Sequence, residues 1–220
     1  MTIDPNTRTG PPPRTVTVTG SGRVAVRPDL ADLRLGVTIT APTATGAREE
    51  SARVMHEVIS GLKALGIEDR DLRTSIVSVS PAYDYSANTG TPKLVGYTFT
   101  NLVAAVVRDV ERLGDAIDAA LTAGATNVDH LAFRVDDPSE AERGAREAAV
   151  ADARAKAETL ARAAGVSIGG VAAMVESGAA IPYPMPMMEL ASFKARDAAT
   201  PVEAGEHEIA VVLVVSYLIE

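Results

Sequence analysis

The sequence predicts an α+β fold: two pseudo-repeated βαββ units whose mainly antiparallel sheets pack against long helices. Three observations carry this expectation. Apolar residues alternate with period two in several separate stretches, as half-buried strands require. Two long segments, 43–65 and 139–164, switch to three- and four-residue spacing, the mark of amphipathic helices. The order strand, long helix, strand, strand occurs over 30–108 and again over 127–219.

In chain order, residues 1–14 form a leader, because Pro11, Pro12 and Pro13 supply no amide donors and favour extended backbone. Strand structure begins at Thr15 with TVTVT. Gly20 and Gly22 interrupt the alternation and are assigned to a strand bulge or turn. Val24 and Val26 resume it, Arg27-Pro28-Asp29 makes a kink, and Leu33, Leu35, Val37 and Ile39 define a second strand. In the helix at 43–65, Met55, Val58, Leu62 and Leu65 make the apolar stripe, Val54 and Ile59 widen it, and Gly66 caps it in the left-handed conformation. Residues 71–85 and 93–108 alternate on either side of a polar turn at 88–92, the pattern of a hairpin. A helix near 109–123 closed by Gly124, a strand at 127–136, the helix at 139–164 and strands at 170–177 and 207–219 complete the chain. The expected organisation is a first half at 15–108 with an extra N-terminal strand, a connecting helix within 109–126, and a second half at 127–220 that carries a Pro/Met-rich loop at 178–206.

The helix from Ser139 is the most fully specified element. Ser139 and Glu142 have capping-box spacing. Glu142 with Arg146, Asp152 with Lys156, and Glu158 with Arg162 are acid-before-base pairs four apart. Ala141, Ala145, Ala149, Ala153 and Ala157, followed by Leu160 and Ala164, form a face of small side chains that lets the helix lie close to its neighbour.

Composition narrows the functional classes. A chain of 220 residues with 46% hydrophobic content buries a sizeable core. Its 21 basic and 29 acidic residues give a net charge of -8, which opposes attraction to a phosphate backbone or an anionic membrane, so no nucleic-acid partner is expected. With no cysteine there are no disulfides, thiol nucleophiles or thiolate metal sites. The N-terminus lacks the basic start and apolar run of a secretory signal, so the chain as numbered is expected in the cytoplasm. The longest apolar stretch, Ile209 to Ile219, is about half of the ~20 residues a membrane-spanning helix needs, and no membrane span is expected.

Candidate chemical motifs are weak. Gly20 to Ala25 fits G-x-G-x-x-A after a strand, but Pro28 forbids the helix whose N-terminus would hold a pyrophosphate. His56, His130 and His207 lack metal-ligand spacing, and G-x-S-x-G is absent. Met185, Met187 and Met188 suit Cu(I), yet without cysteine or histidine beside them methionine's packing role is favoured. Asp84, Glu111 and the acids at 136, 137 and 140 stand at turn and cap positions, where carboxylates have a structural use. No catalytic centre, cofactor or metal is expected. The loop is different: Ile181, Tyr183, Met185, Met187, Met188, Leu190 and Phe193 lie too close together for a solvated linker. Another copy of the chain, or a protein partner drawn to Pro182, Pro184 and Pro186, is expected to cover them.

Several blocks together resemble one family: VTVTGSGRVAVRPDLADLRLGV near the start, the course from Thr74 to Tyr83, Gly96-Tyr97, LTAGATNVDHLAF at 121–133, AREAAVADARAKAETLARAAG, and the terminal PVEAGEHEIAVVLVVSYLIE. In order over residues 15–220 they look like the SIMPL (DUF541) family. The resemblance implies a mixed α+β protein, often exported in bacteria, with relatives that form ring-like or channel-like oligomers and others linked to stress tolerance or signalling, and with no catalytic residues to carry over. The expected function is therefore a non-enzymatic homo-oligomer with a structural or scaffold role linked to the cell envelope or stress tolerance; an adaptor that binds a protein through 181–193 is the alternative. By resemblance the location would be the periplasm or cell envelope, against the cytoplasm indicated by the N-terminus as numbered.

Overall fold

The computed structural model describes residues 13–85, 92–177, 183–185 and 200–220. They form β1 (Thr15–Val26), β2 (Leu30–Ala41), α1 (Ala44–Ala64), β3 (Leu72–Asp84), β4 (Lys93–Val107), α2 (Leu113–Thr122), β5 (Asn127–Arg134), α3 (Ser139–Ala164), β6 (Ile168–Glu176), β7 (Tyr183–Met185) and β8 (Glu206–Ile219), with 3-10 turns at Asp69–Asp71 and Val110–Arg112. The long strands pair antiparallel and the fold is α+β. β3 and β4 make the expected hairpin; most of its turn at 88–92, like the leader at 1–12, lies outside the described residues.

The elements divide into two compact units, each with its own core. One joins β1, β8 and β6 in that order, with β7 also on β8, and adds α3; the other has the order β3-β4-β2-β5 and adds α1 and α2. These units do not follow the linear halves 15–108 and 127–220. β1 pairs with β8 from Thr15↔Leu218 to Val26↔His207, and β5 pairs with β2. Periodicity identifies a strand from its own side chains, whereas its partner is chosen by the closing of a core.

In the second unit, one face of β2 and β4 buries Leu33, Leu35, Val37, Val103 and Ala105 against Val54, Met55, Val58 and Leu62 of α1 and Leu113 and Ile117 of α2. Thr43 caps α1 by accepting the Gly46 N–H at 3.1 Å, Gly66 ends it with φ +89°, and Arg112 Nη1 donates to the Leu65 carbonyl at 2.8 Å. The helix expected from 109 opens as a 3-10 turn and is α-helical only from Leu113, because Asp109 Oδ1 takes the Glu111 N–H and tightens the first turn. The end of the long loop is anchored in this unit: Val202 packs on its core and Thr200 Oγ1 donates to Asp118 Oδ1 at 2.6 Å.

In the first unit, Ala141, Ala145, Ala149, Ala153 and Ala157 are buried against Val18, Ile209, Val211, Leu213, Val215 and Tyr217. The stripe continues to Ala161, while Leu160 is 51% exposed and Ala164 also faces solvent; 3.6 residues per turn carries the face to 161. Gly20 and Gly22 make neither a bulge nor a turn, since the β1–β8 register runs unbroken through both. A Cβ on Gly20 would lie 2.1 Å from the Ala149 carbonyl oxygen, and one on Gly22 2.0 Å from that of Ala145. They are glycines because α3 touches the strand backbone. β1 is an edge strand, and α3 also covers its free side: Asp152 accepts the Ser21 N–H at 2.8 Å and Lys156 donates to the Thr19 carbonyl at 3.0 Å.

Two expectations about α3 are corrected. Ser139 is its first residue, not its cap; Pro138 already has helical angles, so the Ser139 N–H is taken by Asp137 Oδ1 at 3.0 Å and Glu142 turns instead to Arg146. Asp152 pairs with Lys156 as expected, but Glu158 pairs with Arg154, one turn before it, rather than with Arg162.

Candidate functional site

Of the seven apolar residues expected to form an interface, Tyr183 and Met185 fall in β7, which pairs with β8; Ile181, Met187, Met188, Leu190 and Phe193 lie outside the described residues. The described residues offer a second apolar surface, built on β3 and β4. The β2–β4 pairing ends at Ala41↔Tyr97, whereas β3 and β4 continue to Asp84↔Lys93. Residues 93–96 and 82–84 thus form a two-stranded arm beyond the sheet. Gly96 sits where the arm departs, and a Cβ there would meet the Ala41 carbonyl oxygen at 2.4 Å.

The arm is apolar without being covered. Tyr83, Tyr85, Leu94 and Val95 are exposed, and the two tyrosine rings meet edge to face at 6.4 Å. Along the free edge of β3, Ile76, Val77 and Val79 are also exposed, Val77 by 58%. An isolated two-stranded ribbon is marginally stable in water, and an exposed apolar edge strand is a template for pairing with another chain. In the other unit, β6 is a second edge strand, with Val171, Met174 and Val175 exposed, Val175 by 60%. Sequence reasoning missed these surfaces because period-two alternation implies one buried face. The signal that could have found the arm is the concentration of Val77, Val79, Tyr83, Tyr85, Leu94 and Val95 on both sides of one turn.

The polar candidates are spread over the fold. His56 lies on α1, His130 on β5 and His207 on β8, and no three His, Asp or Glu side chains among the described residues come together as metal ligands do. The acids at 136, 137 and 140 serve local structure: Asp136 pairs with Arg108 and Arg134, Asp137 holds the Ser139 N–H, and Glu140 pairs with Arg143. Glu111 lies in the turn that opens α2 and Asp84 ends β3. Asp71 is buried and gripped by Arg108 through two 2.9 Å bonds. The hydrogen bond from Arg108 holds the Asp71 carboxyl below its ordinary value, partly opposed by burial. No helix among the described residues is long and apolar enough to cross a membrane.

Residues 16–217 match a family described as SIMPL, protein of unknown function (DUF541). The chain is 36% identical over 203 residues to the 26 kDa periplasmic immunogenic protein of Brucella melitensis, covering 89% of this chain and 80% of that one. It is 29% identical over 156 residues to the uncharacterized protein YggE of Edwardsiella ictaluri (71% of this chain, 65% of that one) and 30% identical over 146 residues to YggE of Escherichia coli K12 (66% and 58%).

Proposed function

Because this chain belongs to the SIMPL family, we propose that it is a non-enzymatic protein that assembles with copies of itself into a scaffold of the cell envelope. The observation that carries the proposal is the apolar β3–β4 arm with the free edge of β3 beside it, where exposed Val77, Val79, Tyr83, Leu94 and Val95 need a cover that the described part of the chain does not supply. A second copy pairing along the free edge of β3 would satisfy its outward-facing amides and bury those side chains in one step. The exposed β6 edge gives each chain a second surface, and two different surfaces per chain support rings. The periplasm is the proposed location, supported by the name of the Brucella relative; the cytoplasmic expectation rested only on the N-terminus as numbered. The 181–193 segment is proposed to contribute further apolar contact.

Mass photometry of the purified protein and of a Val77→Lys, Val79→Lys double variant tests the proposal. Assemblies of wild type that fall to monomer in the variant, with an unchanged circular dichroism spectrum, are expected. A wild type that stays monomeric at micromolar concentration would sink self-assembly. Deleting 181–193 tests the adaptor alternative: unchanged assembly mass with loss of a co-purifying protein would favour it.

A further inference from the structure

The face of the β3-β4-β2-β5 sheet opposite its helices carries a constellation unrelated to the apolar arm. The registers Arg73↔Ala104, Arg34↔Ala104 and Arg34↔His130 set these four residues in one row across four strands. Neighbouring strands are about 4.8 Å apart, so the backbones at Arg73 and Arg34 stand about 10 Å apart with only the methyl group of Ala104 between them. Both guanidinium groups are long enough to reach over it. A trough of about 590 Å³ opens there, within the ~300–1,000 Å³ typical of small-molecule sites.

The lining of the trough is rich in arginine. Four arginines, at 34, 70, 73 and 134, line it against Asp32 and Asp71, in a protein of net charge -8. Arg34 is held by Asp129 at 2.5 Å, Arg134 by Asp32 at 2.9 Å and Arg70 by Glu68 at 3.0 Å. Arg73 and His130 have no carboxylate within ion-pair distance among the described residues, so the two ends of the row carry uncommitted donors.

The strands are also irregular at this row. β3 bulges between Thr74 and Ile76, and β5 skips a residue where it passes from Arg34 to Leu35 of β2. The extra residues, Ser75 and Asp129, turn their side chains to the Leu102 carbonyl and the Arg34 guanidinium. Bulges recur beside binding sites because they re-aim side chains without breaking the sheet.

We infer that this trough binds a small, multiply charged anion bearing carboxylate or phosphate groups, bridged by Arg73 and Arg34 over Ala104 with His130 at the far end of the row. The planar fork of guanidinium matches two oxygens of either group, and Asp129 fixes one of the two forks in advance.

Calorimetric titration of the full chain at low ionic strength, with citrate and inorganic pyrophosphate as parallel probes, tests the inference. One saturable site is expected for at least one probe, and the stronger arm tells carboxylate from phosphate. Arg73→Gln should weaken binding by about tenfold or more, Arg73→Lys by less, and Arg162→Gln, on α3, not at all. Arg73 is exposed and makes no ion pair among the described residues, so its variant should melt at the wild-type temperature. Failure of both probes to saturate at millimolar concentration, or wild-type binding by a folded Arg73→Gln protein, would overturn the site.

Discussion

Replacing Gly20 by alanine adds one methyl group where α3 rests on β1. The new carbon would sit 2.1 Å from the Ala149 carbonyl oxygen, 2.7 Å from the Ala153 Cβ and 2.9 Å from the Ala153 nitrogen, where ordinary contact begins at 3.4 Å. Two of these three obstacles are helix backbone, which no rotamer change can move. The helix must retreat by about 1.3 Å, loosening its alanine stripe from β8 and stretching the bonds from Asp152 and Lys156 to the edge of β1. Overpacking of this kind costs about 1–3 kcal/mol, and a rigid obstacle puts Gly20 at the upper end. Alanine's smaller unfolded-state entropy returns about 0.4–1 kcal/mol, leaving a net loss of about 2 kcal/mol. With urea slopes of about 1–3 kcal/mol per molar, the midpoint for this unit should fall by about 1 M. Gly170→Ala is the control, because nothing lies within 4 Å of a Cβ there, and it should leave stability unchanged or slightly raised. If the two variants unfold at the same urea concentration, the account of Gly20 as a contact glycine is wrong.

Ser51 lies fully buried in α1 with no partner for its hydroxyl among the described residues, so Ser51→Ala should raise stability by about 1 kcal/mol; an equal or lower urea midpoint would mean the hydroxyl is satisfied. Asp71 predicts an acid limit. Its carboxyl is held below the ordinary value chiefly by Arg108, so the pair's contribution is complete above the unfolded value of about 3.9 and is lost as pH falls through the lower folded value. Urea midpoints measured from neutral pH downward should drop more steeply below about pH 4 in wild type than in Asp71→Asn, and parallel curves would remove Asp71 from the acid response.

Local regularities carried far in this chain. The bounds of the helix at 139–164 were legible, because its alanine spacing and two of its three expected charge pairs act within a few turns of one another. The β3–β4 hairpin and the stripe of α1 were legible for the same reason. What failed at short range failed within about a turn: Leu160 was expected on the buried face that Ala161 occupies, Ser139 at the cap that Asp137 serves, and Glu158 beside Arg162 where it pairs with Arg154. The candidate sites fared differently. The 181–193 segment stood out because apolar residues crowd a loop, whereas the exposed arm was hidden inside an ordinary alternating pattern and Arg73, Ala104, Arg34 and His130 are scattered over nearly a hundred positions.

By itself, then, the sequence determined an α+β chain with two long helices, strands at nearly their observed bounds, and membership of the SIMPL family, since helix period, strand alternation and turn chemistry are properties of neighbouring residues. The tertiary structure alone decided that β1 closes against β8 and β5 against β2, that Gly20 and Gly22 are points of contact rather than turns, and that four distant side chains share one row. Each of those depends on which backbone lies alongside which, and that is fixed by burying whole faces of sheet and helix together, not by any residue's preference for its own conformation.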